Sequence, residues 1–162
     1  MKSFLLIRHA KSSWKFPQLD DHDRPLNKRG QRDILNMADY LNEQSTTIDI
    51  LFSSSASRAL SYANCLSQRC NIPLEIDERY YTFSQAALFA QIQSLDASLD
   101  SVAVVAHNPA VTGLVNALTQ SSIANVPTSA MVFMQLDILE WAQLAPACAD
   151  LLRMQTPKAL LS

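Results

Sequence analysis

The chain has 162 residues, 48% of them hydrophobic, and a formal net charge of −2 at pH 7. A chain of this length buries a substantial core without metal or disulfide support, so we expect a single domain over residues 1–162. The slightly acidic balance argues against a nucleic-acid-binding or membrane-surface protein, and neither a signal peptide nor a membrane span is expected.

The three cysteines, Cys65, Cys70 and Cys148, are an odd number and show neither a CxxC pair nor a Cys/His spacing. A redox pair or a metal site would need such a spacing. We interpret the cysteines as free thiols that pack in the reducing environment of the cytoplasm. The expectation is therefore a cytoplasmic protein without a bound metal.

Apolar runs typical of buried strands alternate along the chain with segments of helical periodicity. Strands followed by helices in this way predict an α/β fold, in which helices cover both faces of a mostly parallel sheet. The predicted strands span residues 4–7, 48–52, 74–76 and 102–106, with possible edge strands at 130–136 and 151–154. The predicted helices span residues 30–43, 57–69 and 85–95, and a further one follows Pro109.

Arginines and histidines follow three of the predicted strands. Arg8 and His9 end the first strand, Arg58 follows the second, and His107 follows the fourth. A strand that simply ends in polar residues would explain any one of these cases. Parallel strands, however, bring their carboxyl ends to one edge of the sheet, where open α/β sheets bind ligands. Repetition over separate strand–helix units predicts that the four side chains converge on one site.

Two arginines and two histidines in one pocket suit a phosphoryl group. Each guanidinium can chelate two phosphoryl oxygens and keeps its charge, and the N-termini of the following helices add backbone donors. A neutral imidazole can attack phosphorus, provided that a hydrogen bond to its other nitrogen fixes the tautomer. The second imidazole can donate to the phosphoryl oxygens and stabilise the transition state.

Four segments of the chain carry a resemblance to the histidine phosphatase superfamily. LIRHAKSSW, at residues 6–14, resembles the family's "RHG" signature, and LNKRG, at 26–30, is similar to its "LTxxG" element. SSSASRA, at 53–59, resembles "SSPxxRA", and AHNP, at 106–109, resembles "GHNP". The RHAKSSW and DHDRPLNKRG forms, the short length and the late LAPACADLLRMQTPK segment are similar to the SixA-type phosphohistidine phosphatases.

This resemblance implies a function for each matched residue. His9 would be the nucleophile that becomes phosphohistidine, and Arg8, Arg58 and His107 would form the phosphate pocket with it. Ser12 falls where relatives often place a hydroxyl that contacts phosphate. The implied fold has three layers, with a doubly wound, phosphoglycerate-mutase-like sheet that is parallel except for one antiparallel edge strand. The resemblance implies no metal and no organic cofactor.

The sequence departs from the family pattern at several positions. Ala10 and Ala106 replace glycines, and either would be strained by about 1 kcal/mol or more if its position required a positive φ. Ser55 replaces a proline that would pre-set a turn, and Tyr62 stands where a threonine is usual. These departures affect the fine geometry of the site, because no nucleophile or phosphate ligand is lost.

The proton donor is the least defined part of the predicted site. Cleavage of an ordinary phosphate ester expels an alkoxide, so a positioned carboxylic acid accelerates it by about 10²–10⁴-fold. Larger relatives supply a glutamate after the third strand, where Glu78 is the nearest candidate, although a solvated loop carboxylate is the favoured interpretation of this residue. A phosphohistidine substrate eases the demand, because imidazole has a pKa of about 6.5 and departs readily when protonated.

The sequence therefore predicts an enzyme that dephosphorylates phosphohistidine on a partner protein through a covalent intermediate on His9. A small-molecule phosphomonoesterase acting on a phosphate ester and a non-catalytic phosphate- or phosphoprotein-binding module are the alternatives. The chain is short compared with relatives whose insertions roof the pocket, which favours a substrate displayed on a protein surface. The physiological substrate and the oligomeric state are not predicted.

Overall fold

The computed structural model describes residues 1–161, so that Ser162, the last residue of the predicted domain, lies outside the described residues. Six strands form one mixed sheet in the order β3-β2-β4-β1-β5-β6. The first four strands along the chain are parallel to one another, whereas β5 is antiparallel to both of its neighbours. The strands are β1 (Lys2–Arg8), β2 (Ile50–Ser53), β3 (Leu74–Ile76), β4 (Ser101–Ala106), β5 (Met131–Leu136) and β6 (Ala149–Gln155).

Five α-helices connect or follow these strands. They are α1 (Lys28–Glu43), α2 (Ser57–Cys70), α3 (Gln85–Gln93), α4 (Ala110–Thr119) and the short α5 (Pro157–Leu160). Helix α1 begins two residues before the predicted start, because the Asn27 side chain caps it by accepting a hydrogen bond from the backbone N–H of Gly30. In the described part of the chain, no helix combines the length and apolar character needed to cross a bilayer.

The two faces of the sheet pack against different helices. Successive residues of β1 alternate between them, because side chains along a strand point to opposite sides. Phe4 and Leu6 pack in a core with α3 and α4, while Leu5 and Ile7 pack in a second core with α1 and α2. Strand β1 is thus buried on both faces, which explains its uninterrupted apolar run.

The structure confirms the predicted α/β fold with a mostly parallel, doubly covered sheet. Both late segments predicted as edge strands join the sheet, β5 next to β1 and β6 next to β5. The antiparallel strand β5 therefore lies one position inside the edge, which β6 forms. A β-bulge between Phe133 and Met134 interrupts the pairing of β5 with β6. The parallel half of the sheet, with β1 and β4 side by side, positions the candidate site.

Gly30 permits a close approach between α1 and the segment that follows β1. A Cβ atom at this position would lie far inside contact distance of the Lys11 carbonyl oxygen, and 3.1 Å from its carbonyl carbon. The same carbonyl accepts a hydrogen bond from the Asn27 N–H, at 3.0 Å. The glycine therefore lets the helix start pack directly on the backbone two residues after His9.

We predict that Gly30→Ala lowers the free energy of unfolding by about 1–3 kcal/mol, because the added methyl group meets rigid backbone rather than a flexible side chain. Urea denaturation would measure the loss. Gln31→Ala is the matched control, since Gln31 is exposed and lies next to Gly30 in the same helix. Equal stability of the two variants would contradict the close-approach explanation.

Candidate active site

The parallel register of β1 and β4 places two histidines side by side. Arg8 pairs with Ala106 at the carboxyl ends of these strands, and the His9 N–H donates to the Ala106 carbonyl oxygen at 3.0 Å. The next residue on each strand is a histidine, and the ring centroids of His9 and His107 lie 4.9 Å apart. The structure therefore brings the two predicted imidazoles into one pocket.

The His9 ring is held in one tautomer. Its Nδ1 lies 2.8 Å from the Ala10 carbonyl oxygen, which can only accept a hydrogen bond, so Nδ1 carries the proton and Nε2 keeps its lone pair. Burial of the ring is the main cause that lowers the pKa of His9 to about 3; the Ala10 hydrogen bond raises this pKa, and the charges of Arg58 and Arg8 lower it. At neutral pH this imidazole is uncharged and has a free nitrogen lone pair.

His107 is fully buried and held by Ser54. Its Nε2 lies 2.7 Å from the Ser54 hydroxyl oxygen, whereas its Nδ1 is buried without a hydrogen-bond partner. Burial lowers the pKa of His107 far below its usual value, and the neighbouring His9 and Arg58 add to this effect. The rings of Tyr81 and Phe83 meet the imidazole edge-to-face at centroid distances of 5.2 and 5.8 Å. These two aromatic rings contribute to the burial of the imidazole.

The two predicted arginines enter the pocket from different strand ends. One terminal nitrogen of Arg8 donates to the Val126 carbonyl oxygen at 2.9 Å, while its buried Nε has no partner. Burial and the charge of Arg58 lower the pKa of Arg8 from its ordinary value. The guanidinium of Arg58 donates to the backbone oxygen and the carboxylate of Asp21, at 2.7 and 2.9 Å. Arg58 thus keeps its remaining N–H donors for another acceptor.

Asp21 connects three functional side chains, and the sequence analysis did not identify it. One carboxylate oxygen accepts hydrogen bonds from Arg58 and from the Tyr81 hydroxyl, and the other accepts from Arg24 at 2.8 Å. Partial burial favours the protonated form, but the hydrogen bonds from Tyr81, Arg58 and Arg24 outweigh it and hold the pKa of Asp21 well below its usual range. Asp21 is therefore ionised at neutral pH and carries no proton to donate.

The pocket as a whole attracts an anion. Three guanidinium groups, those of Arg8, Arg24 and Arg58, lie near enough to act on His9, and Arg24 and Arg58 share the carboxylate of Asp21. Buried polar atoms almost always have a hydrogen-bond partner, but Arg8 Nε and His107 Nδ1 have none among the described residues. An oxyanion bound between the imidazoles and guanidiniums would satisfy both groups and balance the excess charge.

Ser12 and Glu78 occupy very different positions. Ser12 is buried, and its hydroxyl accepts a hydrogen bond from Arg24, so it belongs to the shell that holds Arg24 and Asp21 in place. Glu78 lies in a 3-10 turn after β3, where its side chain is exposed and has no hydrogen-bond or ion-pair partner among residues 1–161. Within the same residues, no three His, Cys, Asp or Glu side chains group together to hold a metal ion.

Two departures from the family pattern are accommodated without strain. The non-glycine residues with positive φ in the described chain are Asn71, Gln120, Ser129 and Ala147, so Ala10 and Ala106 adopt backbone conformations open to any residue.

The buried Tyr62 donates through its hydroxyl to the Ser129 carbonyl oxygen at 2.7 Å. The Ser129 N–H in turn contacts the carbonyl oxygens of Arg8 and His9. Tyr62 therefore supports the end of β1, a role that its apolar surroundings in the sequence did not indicate.

We predict that His9 remains neutral well below the pH at which an ordinary histidine is protonated. NMR chemical shifts of the imidazole nitrogens, followed from pH 8 to pH 4, should show no protonation of His9 above pH 5. The unfolded chain takes up this proton near pH 6.5 whereas the folded chain does not, so stability is highest above about pH 6.5 and falls as the pH decreases toward 3. A His9 titration midpoint between pH 6 and 7 would contradict this description of the pocket.

Comparison with known proteins gives the same assignment as the motifs. Residues 4–81 match the family model of the histidine phosphatase superfamily (branch 1). The uncharacterized protein Rv1276c of Mycobacterium tuberculosis is 26% identical over 162 residues, a match that covers 94% of this chain and 100% of that protein.

Solved structures share the fold. A protein from Agrobacterium tumefaciens assigned as the phosphohistidine phosphatase SixA superposes with a TM-score of 0.83 at 22% identity, covering 96% of this chain and 98% of that one. The protein histidine phosphatase SixA complexed with tungstate gives 0.81 at 23% identity, over 98% and 99% of the two chains. The family model thus matches residues 4–81, and the six-stranded sheet gives the chain the same fold as these phosphatase structures.

Proposed function

We propose that this protein is a phosphatase that removes the phosphoryl group from phosphohistidine on a partner protein, through a covalent intermediate on His9. The observation that carries the proposal is the state of the His9 ring. Its Nδ1 proton is held by the Ala10 carbonyl and its ring is uncharged, so Nε2 has an available lone pair inside a cationic pocket. A binding module needs the cations but has no use for such a nucleophile.

In the first step, Nε2 of His9 attacks phosphorus while the bond between phosphorus and the substrate imidazole breaks. The electron pair of the broken bond stays on the leaving nitrogen, and the leaving ring departs neutral because its other nitrogen already carries a proton. The phosphorylated His9 ring becomes cationic, and its Nδ1–H donates to the Ala10 carbonyl.

In the second step, a water molecule attacks the phosphorus of phosphorylated His9. The phosphorus–nitrogen bond breaks, its electron pair returns to Nε2, and both protons of the attacking water remain on the inorganic phosphate, which forms as the dihydrogen phosphate anion. His9 is regenerated as the neutral tautomer that began the cycle. No net proton is taken from a protein side chain in either step.

Arg8, Arg58 and His107 stabilise the transferring phosphoryl group in this proposal. Arg8 Nε is a buried donor without a partner, His107 Nδ1 donates in the tautomer whose Nε2 accepts from the Ser54 hydroxyl, and the fork of Arg58 keeps free N–H groups beyond those that Asp21 occupies. Fixed donors of this kind act most strongly on the charge that develops in the transition state. The loss of one such donor typically costs about 10²–10³-fold in rate.

The carboxylates near the pocket favour phosphohistidine over an ordinary phosphate ester. Asp21 is held ionised by Arg58, Arg24 and Tyr81, so it cannot protonate an alkoxide leaving group. The side chain of Glu78, the other predicted donor, is exposed and has no hydrogen-bond or ion-pair partner among residues 1–161. A substrate imidazole departs neutral without either of them, whereas a phosphate ester would need an acid.

Exposed aromatic rings beside the pocket fit a protein-borne substrate. Phe83 contacts His107 while about half of the residue remains exposed, and Trp14 is 76% exposed with the Arg24 guanidinium 3.4 Å from its ring centroid. Aromatic side chains and arginines are enriched in protein interfaces. We therefore include a protein surface in the proposed substrate.

The test is phosphate release from a phosphorylated histidine phosphotransfer protein. Wild-type protein should release inorganic phosphate, and His9→Ala should lose this activity by about 10³-fold or more, because the attacking atom is removed. His22→Ala is the matched control, since His22 hydrogen-bonds to Ser55 and Asp23 and has no assigned step. It should retain phosphate release.

Three other outcomes would contradict the proposal in different ways. Undiminished turnover by His9→Ala would remove His9 as the nucleophile. Efficient hydrolysis of small phosphate esters together with no reaction on the phosphorylated protein would support a small-molecule phosphomonoesterase. Tight binding of the phosphorylated protein without turnover would support a binding module.

A further inference from the structure

We propose that an uncharged cleft beside the phosphoryl pocket binds the polypeptide segment that flanks the phosphohistidine, and that it selects segments without charged side chains. The cleft lies between α4, the segment 83–85 that leads into α3, and the loop 123–125. It has a volume of about 570 Å³. This inference rests on the proposed function, because it concerns the substrate of the same site.

The cleft and the phosphoryl pocket share a wall. Phe83 lines the cleft, and its ring also meets the His107 imidazole at a centroid distance of 5.8 Å. Asn108, which follows His107, also lines the cleft and donates to the Val126 carbonyl oxygen at 3.2 Å. Arg8 donates to the same carbonyl oxygen. A group bound to phosphorus in the pocket can therefore extend directly into the cleft.

The size of the cleft exceeds what a phosphoryl group requires. Sites for ligands usually have volumes of about 300–1,000 Å³, and this cleft falls within that range. Its occupant must therefore be a larger part of the substrate. In a phosphohistidine protein, that part is the chain on either side of the phosphorylated residue.

The lining of the cleft is uncharged. None of the residues that line it, all within the described part of the chain, is an Asp, Glu, Lys or Arg, and four amide side chains lie among apolar residues such as Phe83 and Ile123. A charged side chain placed there would lose its hydration without gaining an ionic partner. The phosphoryl pocket concentrates guanidiniums, so the contrast between adjoining regions separates recognition of the anion from recognition of the flanking chain.

Two amide groups in the cleft are available to bind a peptide backbone. Asn108 and Asn116 already use both ends of their amides to hold the 123–126 segment and the start of α4. In contrast, the exposed side chain of Gln85 has no hydrogen-bond partner among residues 1–161, and the amide nitrogen of Asn125 donates to none of them. Amide groups of this kind pair with both the N–H and the C=O of an extended chain.

Gly113 fixes the position of Gln85. A Cβ atom at residue 113 would lie within 3.0 Å of Gln85 Cδ and even closer to its Oε1. The missing side chain therefore lets the Gln85 amide lie against α4 on the floor of the cleft. Because Gln85 lines the cleft, a charged side chain introduced at this position would lie next to the bound segment.

The experiment compares phosphohistidine peptides that differ only in their flanking residues. One peptide has uncharged flanks, a second has aspartates in their place and a third has lysines, and free phosphohistidine serves as the substrate without flanks. The kcat/KM for each peptide is divided by the value for free phosphohistidine. Wild-type protein should prefer the uncharged peptide over both charged peptides by about tenfold, the effect of burying one poorly satisfied polar group.

Charge-altering variants of Gln85 provide the decisive comparison. Gln85→Lys should shift the preference toward the aspartate peptide and Gln85→Glu toward the lysine peptide, each by about tenfold, because an opposite charge then compensates the buried one. Gln68→Lys and Gln68→Glu are the matched controls, since Gln68 is exposed on α2 and lies outside the cleft. These two variants should show the wild-type preference.

Each outcome separates this inference from the proposed function. If the Gln85 variants show the same preferences as the Gln68 variants while wild-type protein still hydrolyses the peptides, the cleft is not a substrate site and the proposed function stands. If wild-type protein releases phosphate from the phosphorylated phosphotransfer protein but from none of the peptides, the cleft proposal is wrong and the proposed function stands. If it releases phosphate from none of these substrates, the proposed function is wrong, and the cleft proposal is wrong with it.

Discussion

The parallel register between β1 and β4 is the constraint on which the rest of the site depends. Because Arg8 lies opposite Ala106, the residues that follow the two strands are neighbours, and both are histidines. The register is specified by burial on both faces, since a slip of one residue would exchange the apolar sets that face the two cores. The chemistry proposed for His9 therefore rests on ordinary core packing several residues away.

The electrostatics of the pocket follow from placing cations around uncharged rings. Burial and three guanidiniums keep His9 neutral, and hydrogen bonds from Tyr81, Arg58 and Arg24 keep Asp21 ionised. A pocket with these properties has an uncharged nucleophile, an affinity for oxyanions and no carboxylic acid. The cluster of guanidiniums is unfavourable by itself in a protein interior, and a bound phosphoryl group would compensate its charge.

Much of the fold and the convergence of four polar side chains were accessible from the sequence, because both depend on local signals. Uninterrupted apolar runs identified the buried strands, and β3 (Leu74–Ile76) has the predicted bounds. Strand ends then located Arg8, His9, Arg58 and His107. The position of β5 inside the sheet edge was less accessible, because it depends on which strand pairs with which rather than on the composition of either.

Contacts between distant segments could not be predicted from local patterns. Asp21 meets Arg58 from 37 positions away and Tyr81 from 60 positions away, so nothing in the charged DHDRP segment distinguishes it from Asp20 or Asp23. The anchoring of Ser129 by Tyr62 spans 67 positions. The sequence suggested Glu78 as a proton donor from its place after a strand, but orientation and distance decide such a role, and these are properties of the folded chain.

The most direct test of the account is the identity of the phosphorylated atom. Wild-type protein mixed with a phosphohistidine substrate, quenched within milliseconds at alkaline pH and digested, should yield a peptide phosphorylated on His9. NMR of that peptide should place the phosphoryl group on Nε2, because Nδ1 donates its proton to the Ala10 carbonyl. Phosphate on Nδ1 of His9, or on another residue, would contradict the account.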